Sequence, residues 1–147
     1  MGQVQVASLQ AFQGSRVLAR GGRNYATTGD ELICTSPEGD SVYWRKTLRG
    51  DLAAEGGYLG TPPIACGPYI VIGATDGHIY VFDAQTGDKQ QEYDCGAPIR
   101  FAPVAEGGRL YVTTLAGRLL CLDTGDAALT GWPVWGGDAA RSNLPRP

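Results

Sequence analysis

Two apolar patterns alternate along this chain. Tyr69-Ile70-Val71-Ile72 and Leu119-Leu120-Cys121-Leu122 are unbroken apolar runs, whereas Lys89-Gln90-Gln91-Glu92-Tyr93-Asp94 is polar almost throughout. A strand with one wet face alternates apolar and polar residues, and an unbroken run suits a strand covered on both faces. Between the runs lies turn chemistry. Thr75-Asp76-Gly77 and Asp83-Ala84-Gln85-Thr86-Gly87 each offer an Asp that accepts backbone N–H groups and end on a Gly that tolerates positive φ. The pattern predicts four short antiparallel strands here: Pro63 to Cys66, Tyr69 to Ala74, His78 to Asp83 and about Lys89 to Asp94. The first three are apolar and the fourth polar, as expected of a small sheet held between like neighbours and wet at its outer rim.

The layout recurs. Residues Thr61 to Asp83, shifted by 40, fall on Phe101 to Asp123 without a gap. Pro63, Ala65, Gly67, Gly77 and Asp83 meet identical residues at Pro103, Ala105, Gly107, Gly117 and Asp123. Ile64 with Val104, Ile70 with Leu110, Ile72 with Val112, Ile79 with Leu119 and Phe82 with Leu122 exchange one apolar residue for another. A fainter copy lies upstream, where Glu31-Leu32-Ile33-Cys34 through Glu38-Gly39-Asp40 reads like His78-Ile79-Tyr80-Val81 through Thr86-Gly87-Asp88 with one residue fewer. Ahead of it, Asn24 to Thr28 stands where Tyr69 to Ala74 stands in the next unit.

Four antiparallel strands repeated about every 40 residues make a β-propeller blade. The expected fold is all-β: a single partial propeller domain over 1–147, with about three four-stranded antiparallel blades in an incomplete ring. The blades fall near 16–50, 61–95 and 101–135, with a tail over 136–147. Val4 to Leu9 reads as an outer strand belonging to a neighbouring blade.

Composition narrows the function. The 147 residues suffice for one domain with a real core and are too few for two ordinary ones. Hydrophobic residues at 43% and charged residues at 18% are those of a globular chain, and the 22 Gly and 9 Pro are spread along it as many turns require. The net charge is −3 and no basic run interleaves with aromatics, so nucleic acid is not an expected partner. The apolar runs fall far short of the roughly 20 residues that span a bilayer, so no membrane span is expected. Met1 to Val6 lacks a basic stretch followed by an apolar one, so no signal peptide is visible. Cys34, Cys66, Cys95 and Cys121 form no C-x-x-C pair and match no common zinc spacing. Cys34 and Cys121 lie inside apolar runs, where a thiol acts as a small hydrophobe, and all four are expected to be free structural thiols.

Gly77-His78-Ile79-Tyr80-Val81-Phe82-Asp83-Ala84-Gln85-Thr86-Gly87-Asp88 resembles the repeat of the pyrroloquinoline-quinone-like propellers, roughly D-G-x-[LIV]-Y-A-[LF]-D-A-x-T-G. Thr61-Pro62-Pro63-Ile64-Ala65 resembles that family's opening strand, and the third unit repeats both signatures at Phe101 to Ala105 and Gly117 to Gly125. The resemblance covers about Glu31 to Gly125. The tail from Gly131 to Arg141 resembles a W-P-M-[FW]-x-x-[DN]-x-x-R segment that accompanies such repeats. In the family a Trp often follows the turn glycine and docks one blade on the next. Gln91 holds that place in the middle unit, Trp44 is the candidate in the first, and Trp132 lies further off in the third. The resemblance also implies a periplasmic or extracellular setting if the chain is part of a longer one.

Quinone-dependent dehydrogenases of this kind resemble one another in a vicinal Cys-Cys pair, a calcium-binding Glu/Asn/Asp set, a catalytic Asp and a complete eight-bladed ring. This chain has no adjacent cysteines, and three blades cannot enclose a central cofactor. No catalytic, cofactor-binding or metal-ligating residue is therefore expected, and the chain reads as non-enzymatic. His78 is expected to be a solvated turn residue, and Asp76, Asp83, Asp123 and Asp126 to cap their own turns. Gly21-Gly22 and Gly107-Gly108 open no helix and so form no phosphate loop.

Closed propellers usually have four to eight blades, so three leave bare blade faces. Something must cover them: further blades, a second copy of the chain, or a different protein. The expectation is a scaffold or protein-interaction module. The alternatives are a ligand- or carbohydrate-binding module, with Trp132 and Trp135 as stacking platforms, and a fragment of a quinone-dependent dehydrogenase.

Overall fold

The computed structural model describes residues 16–132. The expectations for Val4 to Leu9, Trp135 and the 136–147 tail lie outside that range. Among the described residues there are twelve strands and no helix.

The first sheet runs β1 (Leu18–Arg20), β2 (Arg23–Thr28), β3 (Glu31–Thr35) and β4 (Val42–Thr47), in that spatial order. The middle unit supplies β5 (Ile64–Cys66), β6 (Tyr69–Gly73), β7 (His78–Asp83) and β8 (Lys89–Asp94), and the third supplies β9 (Val104–Glu106), β10 (Arg109–Thr113) and β11 (Leu119–Asp123). Every pairing between neighbours is antiparallel. Each repeat thus builds one sheet, as the 40-residue period requires.

The last strand, β12 (Gly131–Trp132), departs from the repeat. It pairs with β5 through Gly131 opposite Cys66 and Trp132 opposite Ala65, so the middle sheet has five strands and the third has three. The cause lies just upstream. Asp126 caps a turn by accepting the Ala128 N–H at 2.9 Å, and its other carboxylate oxygen accepts the Tyr69 hydroxyl at 3.0 Å. Leu129 is then fully buried between the second and third sheets. Burying that side chain turns the chain back toward β5, and among the described residues no fourth strand pairs with β11.

The middle sheet is covered on both sides, which accounts for its unbroken apolar runs. Ile70, Ile72, Tyr80 and Phe82 point to one face and pack with Tyr25, Leu32, Cys34 and Trp44 of the first sheet. Val71, Ile79 and Val81 point to the other and pack with Leu110, Val112 and Leu129, against which Leu120 and Leu122 also rest. Below, the side of a blade turned toward the preceding blade is its front and the other its rear.

Trp44 does the docking expected of it. It lies on the rear of the first blade, donates its indole N–H to the Ala84 carbonyl at 3.2 Å, and lies over Gly87. A Cβ on Gly87 would stand 2.6 Å from the ring carbon Cδ2, and Gly87 has a φ of +75°, so no other residue fits the turn. Tyr25 adds a hydroxyl bond to the same carbonyl at 3.1 Å.

Candidate interaction face

The repeat predicts which surfaces of a blade meet a neighbour. Adding 40 to the rear residues of the middle blade, Val71, Ile79 and Val81, gives Tyr111, Leu119 and Cys121. These share one face of the third sheet with Val104, since Tyr111 pairs with both Cys121 and Val104. None is covered among the described residues: Tyr111 is 36% exposed, Leu119 73%, and Cys121 is exposed. Arg109 and Asp123 stand on the same face at one end, 4.0 Å apart. A surface of the type that is fully buried one blade earlier is therefore open here.

The opposite end of the stack is different. The front of the first blade carries Asn24, Ala26, Thr28, Glu31, Ile33 and Thr35, with Arg45 paired to Glu31 at 3.5 Å. Asn24 donates to the carbonyls of Ser36 and Pro37 at 3.2 and 3.0 Å. Its apolar residues are Ala19, Ala26, Ile33 and Val42, and Val42 is 47% exposed. The two ends of the stack are unlike: polar and charged side chains separate the apolar ones on the first, and the more continuously apolar face is on the third.

The cysteines follow the same division. All four are unpaired; Cys34, Cys66 and Cys95 are buried, and burial pushes the Cys66 thiol up to about 12. Cys121 departs from the expectation of a thiol buried as a small hydrophobe, because the neighbour that would cover its run is absent from the described residues.

A second cluster gathers at the rim between the first and middle blades. Tyr80 donates its hydroxyl to Asp76 at 2.5 Å and accepts from Arg49 at 2.6 Å. Arg49 also meets Glu92 at 2.5 Å, and Lys89 pairs with Glu92 as well. His78 stacks on Tyr80 with ring centres 5.9 Å apart, its two ring nitrogens 3.4 Å from Asp76 and 3.6 Å from Glu92. Burial, with the Asp76 hydrogen bond, raises Tyr80 to about 12, while Lys89 and then Arg49 hold Glu92 below its usual range. His78 is thus half-buried between two carboxylates and is not a solvated turn residue. Charge patterning along the sequence could not reveal this cluster, because Arg49 reaches it from the connection between β4 and β5.

The cluster's charges answer one another, and it ties that connection to the middle blade. Asp76 nevertheless caps its turn, accepting the His78 N–H at 3.1 Å. Asp83 accepts the N–H groups of Gln85 and Thr86 at 2.8 and 2.9 Å, and Asp123 that of Gly125 at 3.0 Å. Among the described residues no group of three or more His, Cys, Asp or Glu is placed to hold a metal ion, and no helix is long and apolar enough to cross a membrane.

The sequence pattern of the family described as outer membrane protein assembly factor BamB matches residues 3–99 of this chain. The chain belongs to that family. The match takes in the first and middle blades and stops short of the third. Solved structures carry the same fold. BamB from Moraxella catarrhalis is 18% identical with a TM-score of 0.55, over 72% of this chain and 30% of that one. The quinohemoprotein alcohol dehydrogenase ADHIIG from Pseudomonas putida HK5 is 17% identical with a TM-score of 0.64, over 74% of this chain and 18% of that one. The β-propeller domain of Cps50 (Swd1) from Myceliophteria thermophila is 14% identical with a TM-score of 0.56, over 78% of this chain and 35% of that one. The architecture is therefore that of β-propeller blades with the pyrroloquinoline-quinone-like repeat. The chain spans about a third or less of each of these relatives. No curated protein matches it.

Proposed function

We propose that this chain is a non-catalytic propeller module that works by protein–protein contact, its open blade faces joined to further blades or to another protein. The observation that carries the reading is the rear of the third blade. Tyr111, Leu119, Cys121 and Val104 stand open where Val71, Ile79, Val81 and Ile64, their counterparts one repeat earlier, are buried against a neighbour. A contiguous apolar face of about 300 Å² or more rivals the largest patch that an ordinary soluble monomer carries. The family's description as an assembly factor supports contact with other proteins. The likeness to a dehydrogenase is one of fold at 17% identity and brings no chemistry with it.

Light scattering on the purified chain tests this reading. The expected result is a dimer or larger species that Leu119→Glu converts to monomer. A chain that stays monomeric at high concentration overturns it.

A further inference from the structure

The three third strands align as Glu31 with His78 with Arg118, and Cys34 with Val81 with Cys121. In the first two blades a fourth strand completes the ladder. Trp44 pairs with Cys34 in the first, and Gln91 pairs with Val81 in the second. The residue directly after each of these reaches diagonally to the strand's first position: Arg45 to Glu31 at 3.5 Å, and Glu92 to His78 at 3.6 Å. One residue thus sits on the rear face, and the next answers the charge of the third strand.

β11 offers the same ladder with no fourth strand among the described residues. The Thr114 N–H donates to the Arg118 carbonyl at 2.9 Å, and the Thr124 N–H to the Gly108 carbonyl at 3.1 Å. Antiparallel alternation therefore turns the N–H and C=O groups of Leu119, Cys121 and Asp123 to the free edge. The chain's own next segment goes elsewhere: Leu129 enters the core, and the described chain ends at Trp132 on β5, on a different sheet. The edge continues an interface already formed twice, and Arg118 at its start is exposed.

We propose that the outer edge of β11 is a strand-addition site for an extended segment of a partner protein. The segment runs antiparallel to β11, with an aromatic residue opposite Cys121 and an acidic residue directly after it, opposite Leu120. The aromatic side chain falls on the apolar rear face beside Leu119, where Trp44 falls in the first blade. The acidic residue falls where Arg45 and Glu92 fall, within reach of Arg118. Main-chain hydrogen bonds would supply affinity and these two side chains the specificity. The inference rests on the protein-contact reading and names the chemistry of the contact.

The chain's own fourth strand provides the probes. One peptide carries Ser41 to Thr47 unchanged and the other carries Arg45→Glu. Each is titrated into the full chain below the concentration at which it self-associates, with alkylation of Cys121 as the readout. The acidic peptide should bind about fivefold more tightly than the natural one, since an ion pair replaces a like-charge contact, and should slow alkylation of Cys121. Arg118→Glu, an exposed change whose fold is checked by circular dichroism, should reverse the order. Equal binding of the two peptides, an order that survives Arg118→Glu, or undiminished alkylation at saturation overturns the proposal. Light scattering separates the two failures: a chain that stays monomeric overturns the reading on which this inference rests, whereas equal peptide binding by a chain that self-associates overturns the strand-addition site alone.

Discussion

The Trp44 ring lies over a glycine and under a carbonyl, so that one side chain sets how the first blade meets the second. Replacing it empties a buried, ring-sized space and leaves the Ala84 carbonyl without its indole donor. Trp44→Ala should cost about 3 kcal/mol of stability, read as a shift of the urea midpoint. Three buried groups give the fold a sensitivity to alkali. Burial raises Tyr25 and Tyr80 from 10.0 to about 12, with the Asp76 hydrogen bond adding to Tyr80, and burial raises Cys66 from 9.0 to about 12. Each loses its proton more readily in the unfolded chain than in the folded one. Their contribution is therefore whole below pH 9 and is lost as pH rises from 9 toward 12. Melting temperature measured against pH should fall over that window, and Tyr80→Phe should shallow the fall. The carboxylate caps were readable from turn chemistry because each bond spans only two or three residues. The setting of His78 was not, since Glu92 reaches it across the ladder from β8.

Among the elements, β7 and β8 begin and end where the apolar pattern puts them, since turn residues bound both. β5 starts at Ile64 rather than Pro63, because proline has no N–H to give the ladder. β6 stops at Gly73, and Ala74 forms an isolated bridge to Gly60 instead. The return of the chain to β5 after β11 was illegible because Leu129 is chosen by the core between two sheets, a contact that no local pattern encodes. The difference between buried and open faces has a direct measure within one hairpin. Leu110 is fully buried and Leu119 is 73% exposed. Leu110→Ala should cost about 3 kcal/mol and Leu119→Ala under about 0.5 kcal/mol in chemical denaturation. Similar costs for the two would mean that the rear face is covered within the chain.

At the scale of the molecule, the repeat announced the architecture. Matching positions 40 residues apart fall at turn glycines and strand interiors, and the family match and the solved propellers agree with it. The unequal ends of the stack were harder to read, because neighbour identity, and not sequence pattern, decides which apolar face stays dry. A row of stacked units ordinarily frays from its ends inward, each unit leaving without disturbing the rest. The return of Gly131 and Trp132 to β5 acts as a clasp against that. The terminal unit cannot peel away until its own tail lets go of the central one, so the two are obliged to open in a single step. Amide exchange at Leu110 and Val112 should then be nearly as slow as at Ile72 and Val81, and severing the clasp with Trp132→Pro, which removes the N–H turned toward Ala65, should speed the first pair while sparing the second.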